Sequence, residues 1–405
     1  MSGVVAAVWA NDGSGGGEAM TRADPTGPRR KPSSSARATL LELFFDVFYV
    51  AVFAQLSMQL ANDPTWAGLG QRLVLLLAAW WTWSVTVNTT EFYEPQLRAV
   101  QGVVVGTMVG VSLLAVALPG AYDGRGLLFA AAYVGLHLAR GIMLIVALRP
   151  RRAHAREERF LFWFVVSGVL WVAGGLAEPG WRTGLWIGAL AIDYLAAALR
   201  YPTPLRGRIP LEQYSQLSVH FGERYQQIAI LALGELTLMT TLTFGSTPYT
   251  PARAVAFAAA ILTALLFWQI YVLQSNKLVD RSAHSRPRHS VYLAPYVYAL
   301  VVTGVIATSA GVDLVLHEPL RTTPASWVVL IAGGPVLFVI GRMNSEYVLL
   351  GQLPKSRLAW LALLVGATPV LMLLDPVLVT VAAAGVLVGI TLSDTWRLRA
   401  RALAS

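Results

Sequence analysis

The chain has 405 residues, of which 56% are hydrophobic and only 13% carry charge. A soluble globular protein has about a quarter charged residues, so this composition excludes a molecular surface that faces water on all sides. The chain contains no cysteine, which also excludes disulfides, cysteine-ligated zinc, iron–sulfur clusters and thiol nucleophiles.

The first 38 residues differ in composition from the rest of the chain. They are rich in Gly, Pro, Ser and Arg and show no apolar period. Such a segment buries too little surface to offset its ordering entropy, which predicts a disordered cytoplasmic tail. The apolar stretch 4–10 is too short for a signal peptide and lacks the basic start of one. Met20 is an alternative start to Met1.

Twelve apolar runs follow the tail, each close to the ~20 residues that a helix needs to cross a membrane. They lie at about 40–61, 70–88, 97–119, 126–148, 159–176, 182–199, 221–244, 252–274, 291–311, 325–341, 357–374 and 376–393. The predicted fold class is therefore all-α, a polytopic transmembrane helical bundle of about 12 helices without a soluble catalytic domain. The sequence leaves the exact helix count open over 325–395, where the last two runs are separated only by Asp375 and Pro376.

The basic residues alternate between the two sides of these predicted spans. Of the 31 Lys and Arg residues, 24 fall on the side of the tail, 5 on the opposite side, and 2, Arg140 and Arg224, within spans. Cytoplasmic loops carry an excess of Lys and Arg, so both termini are predicted to be cytoplasmic. In this orientation the basic residues that give the chain its net charge of +9 surround the cytoplasmic ends of the helices. They would attract anionic lipids at the cytoplasmic face. No nucleic-acid partner is expected, since no phosphate-binding Gly-rich loop is found either.

The two halves of the chain resemble copies of one unit. Helices 2 and 8 align at an offset of 188, and helices 6 and 12 end in similar sequences. The matching positions are Trp80 with Trp268, Trp83 with Tyr271, Asn88 with Asn276, and Asp193 with Asp394. We therefore expect parallel six-helix repeats at 39–199 and 221–395, a cytoplasmic linker at 200–220 and a short basic cytoplasmic tail at 396–405. Ordinary aromatic belts at the membrane interface remain the alternative explanation.

Polar side chains cluster on the first and seventh predicted helices. Glu42, Asp46, Tyr49 and Ser57 share a sector of about 80° on the first, and His220, Glu223, Arg224, Gln227 and Glu235 share about 120° on the seventh. Gln55 lies on the first helix at a depth comparable to that of Glu235. Ionisable groups within a membrane usually face a protein interior or a hydrated cavity, which predicts a polar site between the two halves with Arg224 neutralising Asp46, Glu223 or both.

A structural interpretation of the same residues stays open, because buried ion pairs also fix helix register and charges at helix ends extend toward water. The Glu235 side chain lies too deep and is too short to reach water, so its carboxyl group must be protonated, paired or beside a cavity. No metal site is expected, since His220 and Glu223 supply only two of the three or four ligands required. No cofactor or nucleophile motif is present either.

Two motifs resemble those of the bacterial low-temperature-requirement protein A family. The segment Glu42-Leu43-Phe44-Phe45-Asp46 with Gln55-Leu56 is similar to the family's opening motif, and His220 to Tyr225 with Leu233-Gly234-Glu235 is similar to its second motif. The resemblance covers about 38–395 and implies a multi-pass protein of the bacterial cell membrane. Family members often have a His where this chain has Leu293, so any step made by that His is absent here or performed otherwise. The family name records growth in the cold and implies no substrate.

Three functions remain open at this point. A transporter or channel for ions, protons or a small solute is favoured by paired carboxylates, an intramembrane Arg and a mid-depth Glu between two repeats. The alternatives are a membrane-embedded enzyme or lipid-handling protein, and a membrane scaffold or sensor without turnover. No sequence feature favours an enzyme over a transporter.

Overall fold

The computed structural model describes residues 38–148, 154–204, 206–210, 219–282, 290–350 and 354–402. The predicted tail up to residue 37 lies outside the described residues, as do the basic segment 149–153 and residues 211–218 of the predicted linker. The described helices, in chain order, are α1 Leu40–Asn62, α2 Trp66–Phe92, α3 Arg98–Ala117, α4 Gly126–Leu148, α5 His154–Leu176, α6 Pro179–Ala198, α7 Val219–Ser246, α8 Pro251–Ser282, α9 Ser290–His317, α10 Ala325–Ile331, α11 Gly333–Leu350, α12 Lys355–Gly366, α13 Thr368–Leu371 and α14 Pro376–Ala402.

Each of the twelve predicted runs lies on one of these helices or on a broken pair of them. Among the described residues, nine helices are long and apolar enough to cross a membrane, and the bent pair α10 and α11 makes ten if it counts as one span. The two runs that fall short of this criterion are on α6, which carries Arg182 and Asp193, and on α12, which has only 12 residues. The fold is a polytopic helical bundle, as predicted, and within the described residues this criterion identifies nine or ten of the twelve predicted spans.

Local sequence accounts for where several helices begin. Thr39 precedes α1, and its hydroxyl accepts a hydrogen bond from the backbone N–H of Glu42 while the Glu42 carboxylate accepts one from the backbone of Thr39. This capping box satisfies two backbone donors that a helix start leaves open. Thr65 caps α2 in a similar way, and Pro179 opens α6 at a position where the missing N–H costs nothing.

The run predicted at 325–341 is broken in the structure. Helices α10 and α11 meet at an angle of 42°, with Gly333, Gly334 and Pro335 just after the break. Proline has no N–H to donate, and its ring clashes with the carbonyl four residues earlier. That carbonyl belongs to Ile331, the last residue of α10, so Pro335 explains why the helix ends there and resumes in a new direction.

Helices α2 and α9 form the centre of the bundle. In each, 83% of the most apolar stretch is buried within the protein, against 39–56% in the other spans. The outer helices expose apolar side chains such as Phe44, Val146, Val169 and Leu242. These exposed apolar side chains fit a lipid environment.

Helix α9 approaches α11 so closely that only glycine fits at the contact. A Cβ added to Gly304 would lie 2.5 Å from the backbone N of Phe338 and 2.8 Å from the carbonyl O of Gly334. Small residues at such contacts allow helix backbones to pack directly within membranes.

We predict that Gly304→Ala destabilises the protein by about 1–3 kcal/mol, because backbone atoms on α11 must move to admit the methyl group. Thermal unfolding in detergent measures the effect. Gly385→Ala on α14 is the matched control, since a Cβ there meets nothing within 4 Å. An equal loss of stability in both variants would show that the loss comes from replacing any helix glycine and not from this contact.

Candidate functional site

Helices α1 and α7 run parallel and in register through the bundle. Three polar pairs join them, and the two partners of each pair are 178 residues apart. The pairs are Glu42 with His220, Asp46 with Arg224, and Ser57 with Glu235. The sequence offset between the paired residues is constant over 15 residues, or about 22 Å of helix. The two helices therefore keep one register along this whole contact. We call this contact the α1–α7 seam, and its three polar pairs form three layers.

The first layer places His220 between two carboxylates. Its Nε2 lies 3.2 Å from Oε2 of Glu42, and its Nδ1 lies 2.8 Å from Oε2 of Glu91 at the end of α2. All three side chains are buried. Both contacts are hydrogen bonds only if the imidazole carries two protons or one carboxyl is protonated. This geometry can hold one exchangeable proton between His220 and the two carboxyl groups.

The second layer is a buried ion pair. Nη2 of Arg224 donates to Oδ1 of Asp46 at 2.7 Å, and the indole N–H of Trp83 donates to the same oxygen at 2.9 Å. Both Asp46 and Arg224 are at most 1% exposed. Nη1 of Arg224 also donates to the side chain of Gln227 at 3.2 Å. Because both charges are removed from water, each depends on the other for compensation.

The third layer contains Glu235, which is completely buried. Its Oε1 lies 2.6 Å from the Ser57 hydroxyl and 3.1 Å from the hydroxyl of Ser309 on α9. Its Oε2 has no hydrogen-bond partner in the part of the chain that the structure describes. No described Lys, Arg or His forms an ion pair with it. Glu235 is thus a deep carboxyl group surrounded by neutral donors.

An apolar segment separates the second layer from the third. Tyr49, Val52 and Phe53 are buried here, and the rings of Tyr49 and Phe53 lie 6.1 Å apart. The Tyr49 hydroxyl and Oδ2 of Asp46 both lack hydrogen-bond partners among the described residues. The polar layers are therefore separated by a plug of side chains rather than joined by a continuous polar line.

Two predicted site residues do not join the layers. Gln55 is half-buried and lies about 180° around α1 from Asp46. Glu223 is half-buried at the edge of the polar sector of α7 and makes no ion pair with described residues. Of the two carboxylates that the sequence offered to Arg224, the structure places Asp46 against it.

Three contributors to the layers were missed by the sequence analysis, namely Glu91, Trp83 and Ser309. The first two lie on α2 and the third on α9, the two most buried spans. Glu91 could have been noticed in the sequence as a single acidic residue near the end of an apolar helix. Trp83 and Ser309 carry no such signal, because their role depends on which helices pack beside them. The described residues contain no group of three or more His, Asp or Glu that could hold a metal ion.

Comparison with known proteins identifies relatives over most of the chain. The sequence model described as "Bacterial low temperature requirement A protein (LtrA)" matches residues 37–392. An uncharacterized protein of Rhizobium meliloti (strain 1021) is 30% identical over 345 residues, which cover 83% of each chain. No solved structure matches the chain. The matched region contains every residue of the three layers.

Proposed function

The chain belongs to the bacterial low temperature requirement A family, it is an integral membrane protein, and from these two premises we propose that it moves protons or ions along the α1–α7 seam. The observation that carries the proposal is Glu235. A carboxyl group at this depth is costly, and within membranes such groups mark proton or ion pathways. Among the described residues, only the hydroxyl groups of Ser57 and Ser309 donate hydrogen bonds to it, and such an environment favours the neutral acid, which can release and regain a proton.

The shared proton at His220 supplies the other end of the path. Imidazole can accept a proton through one nitrogen and release one through the other. From His220, the path passes the Asp46–Arg224 pair and reaches Glu235 about 16 Å beyond Arg224. Proton exchange with water would occur at the end of the bundle that holds His220, Glu42 and Glu91.

The plug of Tyr49, Val52 and Phe53 acts as the gate in this proposal. These side chains are at most 1% exposed, which supports a gate that separates Glu235 from the first two layers while the side chains stay packed. Opening requires the aromatic rings to move apart, and the unpartnered Tyr49 hydroxyl then offers a stepping point between Asp46 and Glu235.

Packing within each half supports the repeat on which a two-sided pathway depends. Helix α1 packs on α3 in the first half, and α7 packs on α9 in the second. A buried arginine on the fourth helix of each half also reaches the second helix, since Arg140 donates to Thr89 and Arg342 donates to the carbonyl O of Tyr271. These parallels favour two related halves with the seam at their junction.

The proposed setting is the bacterial inner membrane with both termini in the cytoplasm. The alternation of Lys and Arg supports this orientation. With both termini in the cytoplasm, Glu42, His220 and Glu91 would lie near the cytoplasmic face. Protons would then enter or leave the first layer from the cytoplasmic side.

Proton flux in proteoliposomes tests the proposed function. Vesicles with a pH-sensitive dye inside are given an inside-negative potential by valinomycin and an outward potassium gradient. We expect the lumen to acidify faster than in protein-free vesicles, and to do so only while the potential is present. Equal rates with and without protein, under potentials of both signs and in both Na⁺ and K⁺ salts, would contradict the proposal.

A further inference from the structure

A second polar region lies outside the α1–α7 seam, where helices of the first half meet α9 of the second half. It is a cleft between α2, α4, α5 and α9. Its walls include Ser84, Asn88 and Thr89 from α2, Arg140 from α4, Arg156 from α5 and Tyr296 from α9. Neither the polar layers nor the proposed pathway uses these side chains.

The cleft contains more positive than negative charge. Arg140, Arg156 and Glu157 all line it, and they are 3%, 8% and 1% exposed. Nη1 of Arg140 lies 3.7 Å from Oε2 of Glu157, while Tyr93 donates to the other oxygen of Glu157 at 2.9 Å. Burial raises the pKa of Tyr93 above its usual value, which keeps that donor protonated. Among the described lining residues there are therefore two guanidinium groups and one carboxylate.

Several donors in the cleft have no acceptor. Nη1 of Arg140 donates to the Thr89 hydroxyl at 3.1 Å, but its Nε and Nη2 are buried and lack hydrogen-bond partners among the described residues. Nε of Arg156 is in the same condition. Buried polar groups nearly always have partners, and these three unpartnered donors outnumber the one unpartnered carboxylate oxygen beside them, Oε2 of Glu157, which favours a ligand rich in acceptors.

Aromatic rings position both arginines. The guanidinium group of Arg156 lies 3.1 Å from the ring centre of Phe92, and that of Arg140 lies 5.6 Å from the ring centre of Phe164. Stacked guanidinium groups are held in place and present their free N–H groups in a fixed plane. Arginine in this form suits the oxygen atoms of a phosphate or carboxylate group.

We propose that this cleft binds an oxyanion, specifically a phosphate group, between Arg140 and Arg156. The neutral lining residues Ser84 and Asn88 would add hydrogen bonds, and the surplus positive charge excludes a cation. The phosphate group can come from an anionic lipid headgroup or from free phosphate in water, and the two sources share this chemistry.

Thermal unfolding of the full chain, purified in neutral detergent and delipidated, measures the binding. The probes are phosphatidylglycerol, phosphatidylcholine of equal chain length, and inorganic phosphate compared with chloride at equal ionic strength. We expect phosphatidylglycerol or phosphate to raise the midpoint of unfolding in proportion to occupancy. A response to phosphatidylglycerol alone identifies a lipid headgroup, whereas a response to inorganic phosphate identifies a free oxyanion.

Arg156→Gln removes one guanidinium group and should weaken the apparent affinity by at least about tenfold, since a hydrogen bond to a charged group is lost. Arg140→Lys is the second variant, because it keeps the charge that faces Glu157 and loses the free N–H groups. Arg206→Gln is the matched control, an exposed arginine that pairs with Glu158. No response in the wild type, or equal affinity in all three variants, would overturn the proposal.

Discussion

Arg224→Ala is expected to lower the free energy of unfolding by about 3–5 kcal/mol, the range expected when one partner of a buried ion pair is removed. The physical reason is that Asp46 would remain fully buried with only the indole N–H of Trp83 to compensate its charge. The α1–α7 seam would also lose the link between its first and third layers. Unfolding in mixed detergent micelles measures the difference.

Two further variants separate the ion pair from its neighbours. Asp46→Asn combined with Arg224→Gln removes both charges and should recover most of the lost stability, because no uncompensated charge remains. Arg206→Ala breaks an exposed pair with Glu158 and should cost less than about 1 kcal/mol. An Arg224→Ala loss no larger than that of Arg206→Ala would show that the pair does not hold the seam together.

The same double variant distinguishes a pathway from a scaffold. If only the contact between α1 and α7 matters, restoring stability should restore whatever the protein does. If charge at this depth takes part in moving protons, Asp46→Asn with Arg224→Gln should fold and still fail to dissipate a pH gradient.

The sequence predicted those parts of the site that depend on one helix at a time. The helical repeat placed Asp46 and Ser57 on one face of α1, and Arg224 and Glu235 on one face of α7. The alternation of basic residues predicted that both helices run in the same direction, which is why their polar residues could be matched by depth. The structure shows the two helices parallel and in register.

Contacts that depend on how helices pack could not be read from the sequence. Glu91, Trp83 and Ser309 enter the layers because α2 and α9 lie at the centre of the bundle, and no local period encodes that position. The aligned tryptophans show the same limit. Trp80 is 1% exposed and donates to the carbonyl O of Pro295, whereas Trp268 is 52% exposed. Similar sequence positions in the two halves can thus have different surroundings.

Helix ends were predicted less well than helix positions. Helix α14 continues to Ala402, through most of the segment predicted as a basic tail from residue 396. Arginines are favourable near the C-terminal end of a helix, where they face the negative end of its dipole. The helix is also held near its end by a buried ion pair between Asp394 and Arg357 of α12, a long-range contact that composition does not reveal.

Glu235→Gln is expected to reduce potential-driven proton flux in proteoliposomes to the rate of protein-free vesicles. Glutamine keeps the size of the side chain and can still contact the hydroxyl groups of Ser57 and Ser309, but it cannot release a proton. Folding should be preserved, because no ion pair with described residues is lost. Flux and thermal unfolding must be measured on the same preparation.

Asp193→Asn provides the matched control for that measurement. Asp193 is also a buried carboxyl group, and it accepts hydrogen bonds from Tyr133 and Trp171, neither of which belongs to the three layers. We predict background flux for Glu235→Gln and near wild-type flux for Asp193→Asn at equal reconstitution. Wild-type flux in Glu235→Gln, or equal loss in both variants, would contradict a proton pathway through Glu235.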